Sequence, residues 1–170
     1  MPEGAAGAGP VTKAEAAPEY FMREALAEAR AAADCGEIPI GAVVEKNGAI
    51  IGRGRNRTES AKDPTAHAEM EAIKEACKAV GGWRLSECSI YVTTEPCAMC
   101  AGALVLSRIE KVYIGALNPK AGACVSLRRL LDDSRLNHSV AIETGLLRDE
   151  CEAIMKAFFS ELRQTKRGGR

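Results

Sequence analysis

Residues 89–115 read SIYVTTEPCAMCAGALVLSRIEKVYIG and contain the signals of a strand, a helix and a second strand in succession. The run Ser89–Thr93 is rich in β-branched and aromatic residues and predicts a strand. Pro96 occupies a position favoured at the first turn of a helix, so a helix is expected over Cys97–Ser107. The apolar run Lys111–Gly115 predicts the next strand. This succession is typical of a layered α/β domain.

The rest of the chain extends this pattern on both sides. Two short apolar runs, Gly41–Glu45 and Ala49–Gly52, are separated by Asn47-Gly48, a strong signal for a β-hairpin. Apolar residues at helical spacing precede them. The other predicted elements are a first helix ending at Gly36, a polar loop over 53–64, a helix over Thr65–Val80 with Thr65 as N-cap, a short helical stretch near Leu127–Leu131, a strand over Val140–Glu143 and a final helix from about Leu147.

Length and composition indicate one folded domain with two tails. The chain has 170 residues, with 23 Lys+Arg against 23 Asp+Glu, so whole-chain charge predicts no partner. We expect a disordered leader over 1–18, a domain over 19–163 and a basic, mobile tail over 164–170. No apolar run reaches the ~18 residues of a membrane helix, and the N-terminus lacks the features of a secretory signal. Seven cysteines, an odd number, favour a reducing cytoplasm over a disulfide framework.

Two fragments together predict a catalytic zinc site: His67-Ala68-Glu69, and Pro96 to Cys100. His67, Cys97 and Cys100 supply three good ligands for Zn²⁺, one ion per chain. A helix N-terminus favours thiolates, so both cysteines are expected to be deprotonated. The fourth position would then hold water, and Glu69 would act on it as a proton shuttle. Because Glu69 is two residues from His67, both reach one site only if His67 lies in the first turn of its helix.

The same residues also allow less specific interpretations, namely a redox pair or a structural zinc site. A lone Cys-x-x-Cys is also found in redox pairs and in halves of structural zinc sites. In a structural site, His138, Cys88 or Cys124 would fill the fourth position. A redox pair leaves His67 and Glu69 without a role, and His138 fits a surface or core histidine better than a ligand.

The chain resembles the bacterial tRNA-specific adenosine deaminases of the TadA type, within the cytidine deaminase-like superfamily. The resemblance covers about residues 20–163. The segments that carry it are GRGRN at 52–56, DPTAHAEM at 63–70, TTEPCAMCAGA at 93–103, SRIEKVYIGA at 107–116, NPKAGA at 118–123, LNH at 136–138 and FFSELR at 158–163.

This resemblance implies a fold, an activity and partners. The fold is a three-layer α/β/α domain with a five-stranded mixed sheet and helices on both faces. The activity is hydrolytic deamination of the wobble adenosine in a tRNA anticodon loop to inosine, with release of ammonia and with Glu69 as the catalytic residue. The partners are the anticodon stem-loop and a second copy of the chain. The substrate-binding residues that it implies are Asn56, Ala66, Asn118, Lys120, Phe158, Phe159 and Arg163.

Two other functions would also use the predicted zinc-binding residues. A deaminase of free bases or nucleosides, such as guanine or cytosine, would use the same zinc chemistry. A non-catalytic, zinc-stabilised RNA-binding module would also need the metal, but it has no use for Glu69.

The sequence also gives expectations for several residues around the substrate. Asn118 stands where the resembled family usually has Asp, so contacts to the sugar are expected to differ. Val125 replaces a common glycine and is expected to tighten the loop. Glu95 fits a supporting or turn role better than direct chemistry. The loop arginines Arg53, Arg55 and Arg57 are expected to contact phosphates.

Overall fold

The computed structural model describes residues 17–169 and contains a five-stranded mixed sheet in the order β2-β1-β3-β4-β5. The strands are β1 (Gly41–Lys46), β2 (Ala49–Arg55), β3 (Cys88–Thr94), β4 (Lys111–Ala116) and β5 (Ala141–Thr144). The helices are α1 (Pro18–Asp34), α2 (Thr58–Ala61), α3 (Ala68–Val80), α4 (Ala98–Leu106) and α5 (Arg148–Gly168).

The direction of the strands brings several chain segments to one edge of the sheet. β1 is antiparallel to β2 and β3, whereas β3, β4 and β5 are parallel. The hairpin turns at Asn47-Gly48, both with positive φ, as the sequence predicts. The carboxyl ends of β2, β3 and β4 therefore lie at the same edge as the start of β1. The segments that follow β2 and β3, up to the first turn of α4, contain the three residues expected to bind the metal, His67, Cys97 and Cys100.

Helices cover both faces of the sheet, which confirms the expected three layers. Alternate residues of β1 and β3 contribute to two separate apolar clusters, because successive side chains of a strand point to opposite faces. Val43 and Tyr91 pack with residues of α1 and α5. Val44 and Val92 pack with residues of α3 and α4 on the opposite face. No helix within residues 17–169 is long and apolar enough to span a membrane.

A glycine in β2 sets the distance between this strand and α3. A Cβ atom at Gly54 would overlap the carbonyl oxygen of Ala68 and lie 2.5 Å from the backbone nitrogen of Ala72. Only a residue without a side chain allows the first turn of α3 to approach the strand this closely. Gly54 thereby brings the end of β2 against the helix that carries Glu69.

The start of α3 differs from the sequence expectation. The helix begins at Ala68, and His67 is its N-cap with extended backbone, so Thr65 does not cap it. Instead, the backbone N–H and the hydroxyl of Thr65 both donate to Asp63 Oδ1, at 2.8 and 2.7 Å. The nearby acceptor on Asp63 takes the hydroxyl into a local turn, which competes with capping.

Other element boundaries also need correction. α4 begins at Ala98 with Cys97 as its N-cap, so Pro96 lies before the cap and not at the first helical position. β2 continues to Arg55, and the short helix α2 lies inside the segment 53–64 that we expected to be a loop. The helical stretch predicted near Leu127–Leu131 is absent, and residues 128–130 have no regular secondary structure.

The helices near the two chain ends do not begin and end at the expected bounds of the leader and the tail. Pro18 is the first residue of α1, and residues 1–16 lie outside the described part of the chain. α5 continues through Gly168, so residues 164–168 are helical, and the mobility expected for the tail stays a prediction. The division into leader, domain and tail stays a prediction in other respects.

Candidate active site

The starts of α3 and α4 bring together three atoms that can bind a metal ion. His67 Nδ1 lies 3.6 Å from the Sγ atoms of both Cys97 and Cys100. A tetrahedral zinc with bonds of ~2.3 Å to sulfur and ~2.0–2.1 Å to nitrogen would separate those atoms by about 3.6 Å. The distances from the His67 nitrogen to both sulfurs therefore fit a zinc ion bound by the three side chains.

Glu69 lies beside this group without belonging to it. It is the second residue of α3 and is 4% exposed. Burial raises its pKa to about 7, and a hydrogen bond with Cys100 acts in the opposite direction. The carboxyl group is therefore close to the candidate metal position and has a pKa suited to both accepting and donating a proton.

The two cysteines differ in their ionisation. A hydrogen bond from Cys100 lowers the pKa of Cys97 to about 5. The same hydrogen bond, together with burial, raises the pKa of Cys100. The lowered thiol pKa expected for both cysteines is therefore found for Cys97, whereas Cys100 would be deprotonated by coordination to a metal ion.

The side chains considered for a fourth ligand lie elsewhere. Among residues 17–169, only His67, Cys97 and Cys100 place three or more ligand atoms of His, Cys, Asp or Glu within 4.8 Å of one another. His138 Nε2 donates to the carbonyl of Ile109 at 2.6 Å, which fits the structural role expected for it. The Sγ of Cys88 contacts the carbonyl of Ser86. The Sγ of Cys124 contacts the carbonyl of Pro96 at 3.9 Å.

Asn56 and Ala66 are both buried next to the start of α3. Asn56 Oδ1 accepts a hydrogen bond from the backbone N–H of Ala68 at 3.1 Å. Its amide nitrogen forms no hydrogen bond within residues 17–169 and is not sealed from solvent, so it is free to donate to a ligand. The carbonyl of Ala66 already accepts a hydrogen bond from the backbone N–H of Arg57 at 3.0 Å.

Asn118 and Lys120 lie in the loop after β4. Asn118 Oδ1 accepts hydrogen bonds from the backbone N–H groups of Lys120 and Ala121, both at 3.2 Å, in an Asx-type turn. The Lys120 side chain is exposed. Glu95 accepts the backbone N–H of Asn118 at 2.9 Å, which agrees with the turn role expected for Glu95.

The remaining residues expected to bind substrate lie on α5. Phe158 and Phe159 are half-buried with their ring centroids 5.5 Å apart, and Arg163 is exposed. Phe158 lines a cavity of about 400 Å³ between α5 and the end of α1. None of His67, Cys97 and Cys100 lines this cavity.

The arginines expected to contact phosphates are engaged in ion pairs. Arg53 lies 2.6 Å from Glu24, and Arg55 lies 3.6 Å from Glu28. Arg57 lies 3.9 Å from a carboxylate oxygen of Glu71. Their charge is therefore partly compensated within the chain. A sequence pattern cannot show this, because the acidic partners come from α1 and α3.

Sequence reasoning missed Glu37, a buried carboxylate at the same edge of the sheet. It follows Gly36 at the end of α1 and accepts the backbone N–H of Ser60 at 2.7 Å. Its only local signal is an acidic residue next to Ile38-Pro39, which is too common to be specific.

The layered fold and this site define a class: a deaminase with two cysteines and one histidine around a metal position and a glutamate beside it. A family profile of MafB19-like deaminases matches residues 17–163. The tRNA-specific adenosine deaminase of Bacillus subtilis is 51% identical over 152 residues, which cover 89% of this chain and 94% of the relative. The chain therefore belongs to the MafB19-like deaminases, within the group of tRNA-specific adenosine deaminases.

Solved structures agree with this assignment. A structure from studies of A-to-I editing by tRNA:A34 deaminases at the wobble position superposes with a TM-score of 0.77 at 44% identity, over 79% of this chain and 98% of the other. The guanine deaminase from Nitrosomonas europaea also superposes, with a TM-score of 0.75, but at 26% identity over 84% of this chain and 85% of the other. The fold is thus shared with enzymes that act on a free base.

Proposed function

We propose that this protein hydrolyses the wobble adenosine of a tRNA anticodon loop to inosine and releases ammonia. The observation that carries the proposal is the triangle of His67, Cys97 and Cys100 with a buried carboxylate, Glu69, that is not part of it. A structural zinc site would be closed by a fourth side chain and would not need this acid. The identity to tRNA-specific adenosine deaminases along most of the chain supports adenosine in tRNA as the substrate.

The three donors would hold one Zn²⁺ per chain. Bound zinc would supply a water whose pKa is lowered to near neutral. Glu69 would transfer one proton of that water to N1 of the adenine ring and the second proton, from the hydroxyl group added at C6, to the leaving amino group, so that water and adenosine yield inosine and ammonia. Its burial keeps bulk water away from the proton transfer, which strengthens the interaction between Glu69 and the reacting atoms.

Asn56 would orient the nucleoside through the amide nitrogen that remains free. Because its Oδ1 is held by the backbone N–H of Ala68, the side chain is fixed before a ligand arrives. This leaves a donor, and little accepting capacity, for the base or the ribose. Ala66, whose carbonyl is already hydrogen-bonded, would contribute mainly the shape of the pocket wall.

Binding of the stem-loop would rely on exposed cations and on the aromatic pair of α5. Lys120 and Arg163 are exposed, and they are suited to phosphate contacts that give affinity without base specificity. Phe158 and Phe159 would stack on unpaired bases. Asn118 would meet the sugar of a neighbouring nucleotide through its amide nitrogen, because its Oδ1 is used in the turn.

We also propose that the protein acts as a homodimer in the cytoplasm. Support for the dimer comes from the resemblance and from large apolar side chains left exposed, since Leu106 is 70% and Leu127 60% exposed. A second copy would remove such surface from water. Sedimentation equilibrium at micromolar concentration tests this, and a monomeric mass would contradict it.

The test of the function uses the zinc-loaded protein and a set of matched substrates. An anticodon stem-loop with adenosine at the wobble position should yield A-to-G changes at that base after reverse transcription, with equimolar ammonia. Free adenosine, guanine and cytosine serve as the comparison. Ammonia from guanine or cytosine, with an unmodified stem-loop, would instead support the free-base deaminase. No ammonia from any of them, with zinc bound, would support the RNA-binding module.

A further inference from the structure

Two buried carboxylates, at the edge of the sheet that carries the candidate active site, take no part in the chemistry proposed for it. Glu37 and Glu95 are each 2% exposed. Their hydrogen-bond donors are backbone N–H groups and hydroxyls, not the cations of Lys or Arg. Donors of this kind favour the charged form of a carboxyl group, and in Glu37 they outweigh the effect of burial and lower its pKa. The surrounding fold is therefore built to hold two ionised carboxylates.

Glu37 fixes the segment between Asn56 and His67. Its two carboxylate oxygens accept the backbone N–H groups of Ser60 and Glu59, at 2.7 and 3.3 Å. These donors lie in α2, whose first turn has no partner for them within the helix. Two backbone hydrogen bonds complete the closure of the segment: Asn56 donates to the carbonyl of Ile40 at 3.2 Å, and Arg57 donates to Ala66. Loss of the Glu37 carboxylate would release the middle of this segment.

Glu95 fixes the loop after β4 in the same manner. One of its oxygens accepts the backbone N–H groups of Val125 and Ser126, at 2.7 and 2.8 Å, and that of Cys124 at 3.3 Å. The other oxygen accepts the N–H of Asn118, at the opposite end of the loop. The carboxylate of Glu95, the residue before Pro96, thus binds both ends of the segment 118–126.

The close approach of Glu95 to its loop depends on a glycine. A Cβ atom at Gly122 would overlap the carboxylate of Glu95 and lie 2.6 Å from the carbonyl oxygen of Asn118. Gly122 is thus the position at which a single methyl group would displace the carboxylate without removing it. It offers a second and independent way to perturb this contact.

We propose that Glu37 and Glu95 are positioning residues that shape the two walls of the substrate pocket, segments 57–66 and 118–126, before the nucleotide arrives. The inference rests on the proposed function, because these segments hold Ala66, Asn118 and Lys120. Loops that are already ordered lose less conformational entropy on binding, so their fixation increases affinity for the substrate. The rate of the chemical step, which depends on Glu69 and the metal position, should be much less sensitive.

The test replaces each carboxylate by an amide of the same shape. In Glu37→Gln and Glu95→Gln, an NH₂ group would face N–H donors and leave some of them unpaired. Loss of about 1.4 kcal/mol corresponds to a tenfold change, so we expect KM for the anticodon stem-loop to rise about tenfold in each variant. Zinc content should be unchanged and kcat should change less than about twofold. Gly122→Ala should raise KM as Glu95→Gln does.

Hydrogen–deuterium exchange of the zinc-loaded proteins supplies a readout that does not depend on activity. Glu37→Gln should accelerate exchange in residues 57–62 but not in 118–126, and Glu95→Gln should show the reverse. Each variant is thus the control for the other, and Glu87→Gln, with an exposed carboxylate before β3, is the control for both. Because the two segments are separate, the double variant should multiply the increases in KM.

Several outcomes would overturn the inference. Unchanged KM and unchanged local exchange in both variants, with only a lower melting temperature, would assign the carboxylates to general stability. A fall in kcat at constant KM, or loss of zinc, would assign them to the chemistry or to the metal. A wild-type protein that leaves the stem-loop unmodified contradicts the proposed function instead, whereas an active wild type with unaffected variants contradicts only this inference.

Discussion

Ionisable side chains are buried at the carboxyl ends of the parallel strands, whereas at the amino ends they surround an open cavity. At the carboxyl ends, Glu69, Glu95 and the neighbouring Glu37 are almost fully buried. Backbone N–H groups from the adjoining loops and helix starts satisfy the latter two. At the amino ends, charged side chains surround a shallow open cavity of about 480 Å³. Its lining residues are Arg84, Ser86, Glu87, Arg108, Glu110 and His138. Burial of charge, and not its presence, therefore distinguishes the end that carries the candidate site.

The two histidines of the chain make the same contrast with one residue type. His67 is the N-cap of α3, with its Nδ1 atom 3.6 Å from two sulfurs. His138 precedes β5 and donates to the carbonyl of Ile109. The imidazole groups are chemically identical, so the difference in role comes from what the fold places beside each ring.

The largest effect is expected from Glu69→Gln, compared with Glu110→Gln at the opposite end of the sheet. The amide cannot accept the proton of the attacking water, so kcat should fall by about 10²-fold or more, while the exposed Glu110 should be dispensable. Deamination rates and zinc content are measured on the same samples. Full activity in Glu69→Gln would refute the proton-transfer role, and loss of zinc would mean that the carboxylate supports the metal.

His67→Ala and His138→Ala are expected to differ strongly in their affinity for zinc. Removal of one of three ligands should weaken zinc binding by about 100-fold or more. His138→Ala should retain zinc and lose about 1 kcal/mol of unfolding free energy with its hydrogen bond to Ile109. Metal content after competition with a chelator, and urea unfolding, provide the two measurements. Equal zinc affinity in the two variants would remove His67 from the ligand set.

The sequence predicts the metal-ligating cluster because each half of it is local. Cys97 and Cys100 are three residues apart at the start of a helix, and His67 and Glu69 flank the start of another. The hairpin at Asn47-Gly48 is equally local, since its positive φ values follow from those two residues. Each of these local features needs no knowledge of distant contacts, and the structure contains both the hairpin and the group of His67, Cys97 and Cys100. That this group binds zinc stays a prediction.

The failed predictions share a different physical cause. Residues 127–131 have helix-forming composition, but the backbone N–H of Leu130 donates to Ala123, and Glu95 holds the residues just before them. Tertiary hydrogen bonds there override helix propensity. Glu37 likewise acts through Ser60, which is 23 residues away and unrelated in any periodic pattern. A sequence does not reveal which distant donors a carboxylate will meet.

A moderate effect on stability is expected from Gly54→Ala, compared with Gly82→Ala. The added methyl group at 54 would overlap the backbone of α3, whereas a Cβ at 82 has no heavy atom within 4 Å. Overpacking of this kind costs about 1–3 kcal/mol, so the urea midpoint of Gly54→Ala should fall clearly while that of Gly82→Ala stays near wild type. Equal midpoints would mean that β2 and α3 can separate without cost. In that case Asn56 would also lose its fixed position relative to Ala68.

The smallest effect is expected from Asp133→Asn, at an ion pair near the amino ends of the strands. Hydrogen bonds from the side chain and backbone of Arg135 lower the pKa of Asp133 to about 2. A lowered pKa stabilises the fold above the unfolded pKa of about 3.9, and this contribution disappears as the pH falls towards 2. The Arg135 side chain is 87% exposed, so water competes for the same charges and little stability should be lost at neutral pH. An NMR titration of the carboxyl carbon checks the pKa, and urea unfolding of the variant checks the stability. A large loss in Asp133→Asn would contradict the contrast between the two ends, because an accessible ion pair would then matter as much as the buried carboxylates.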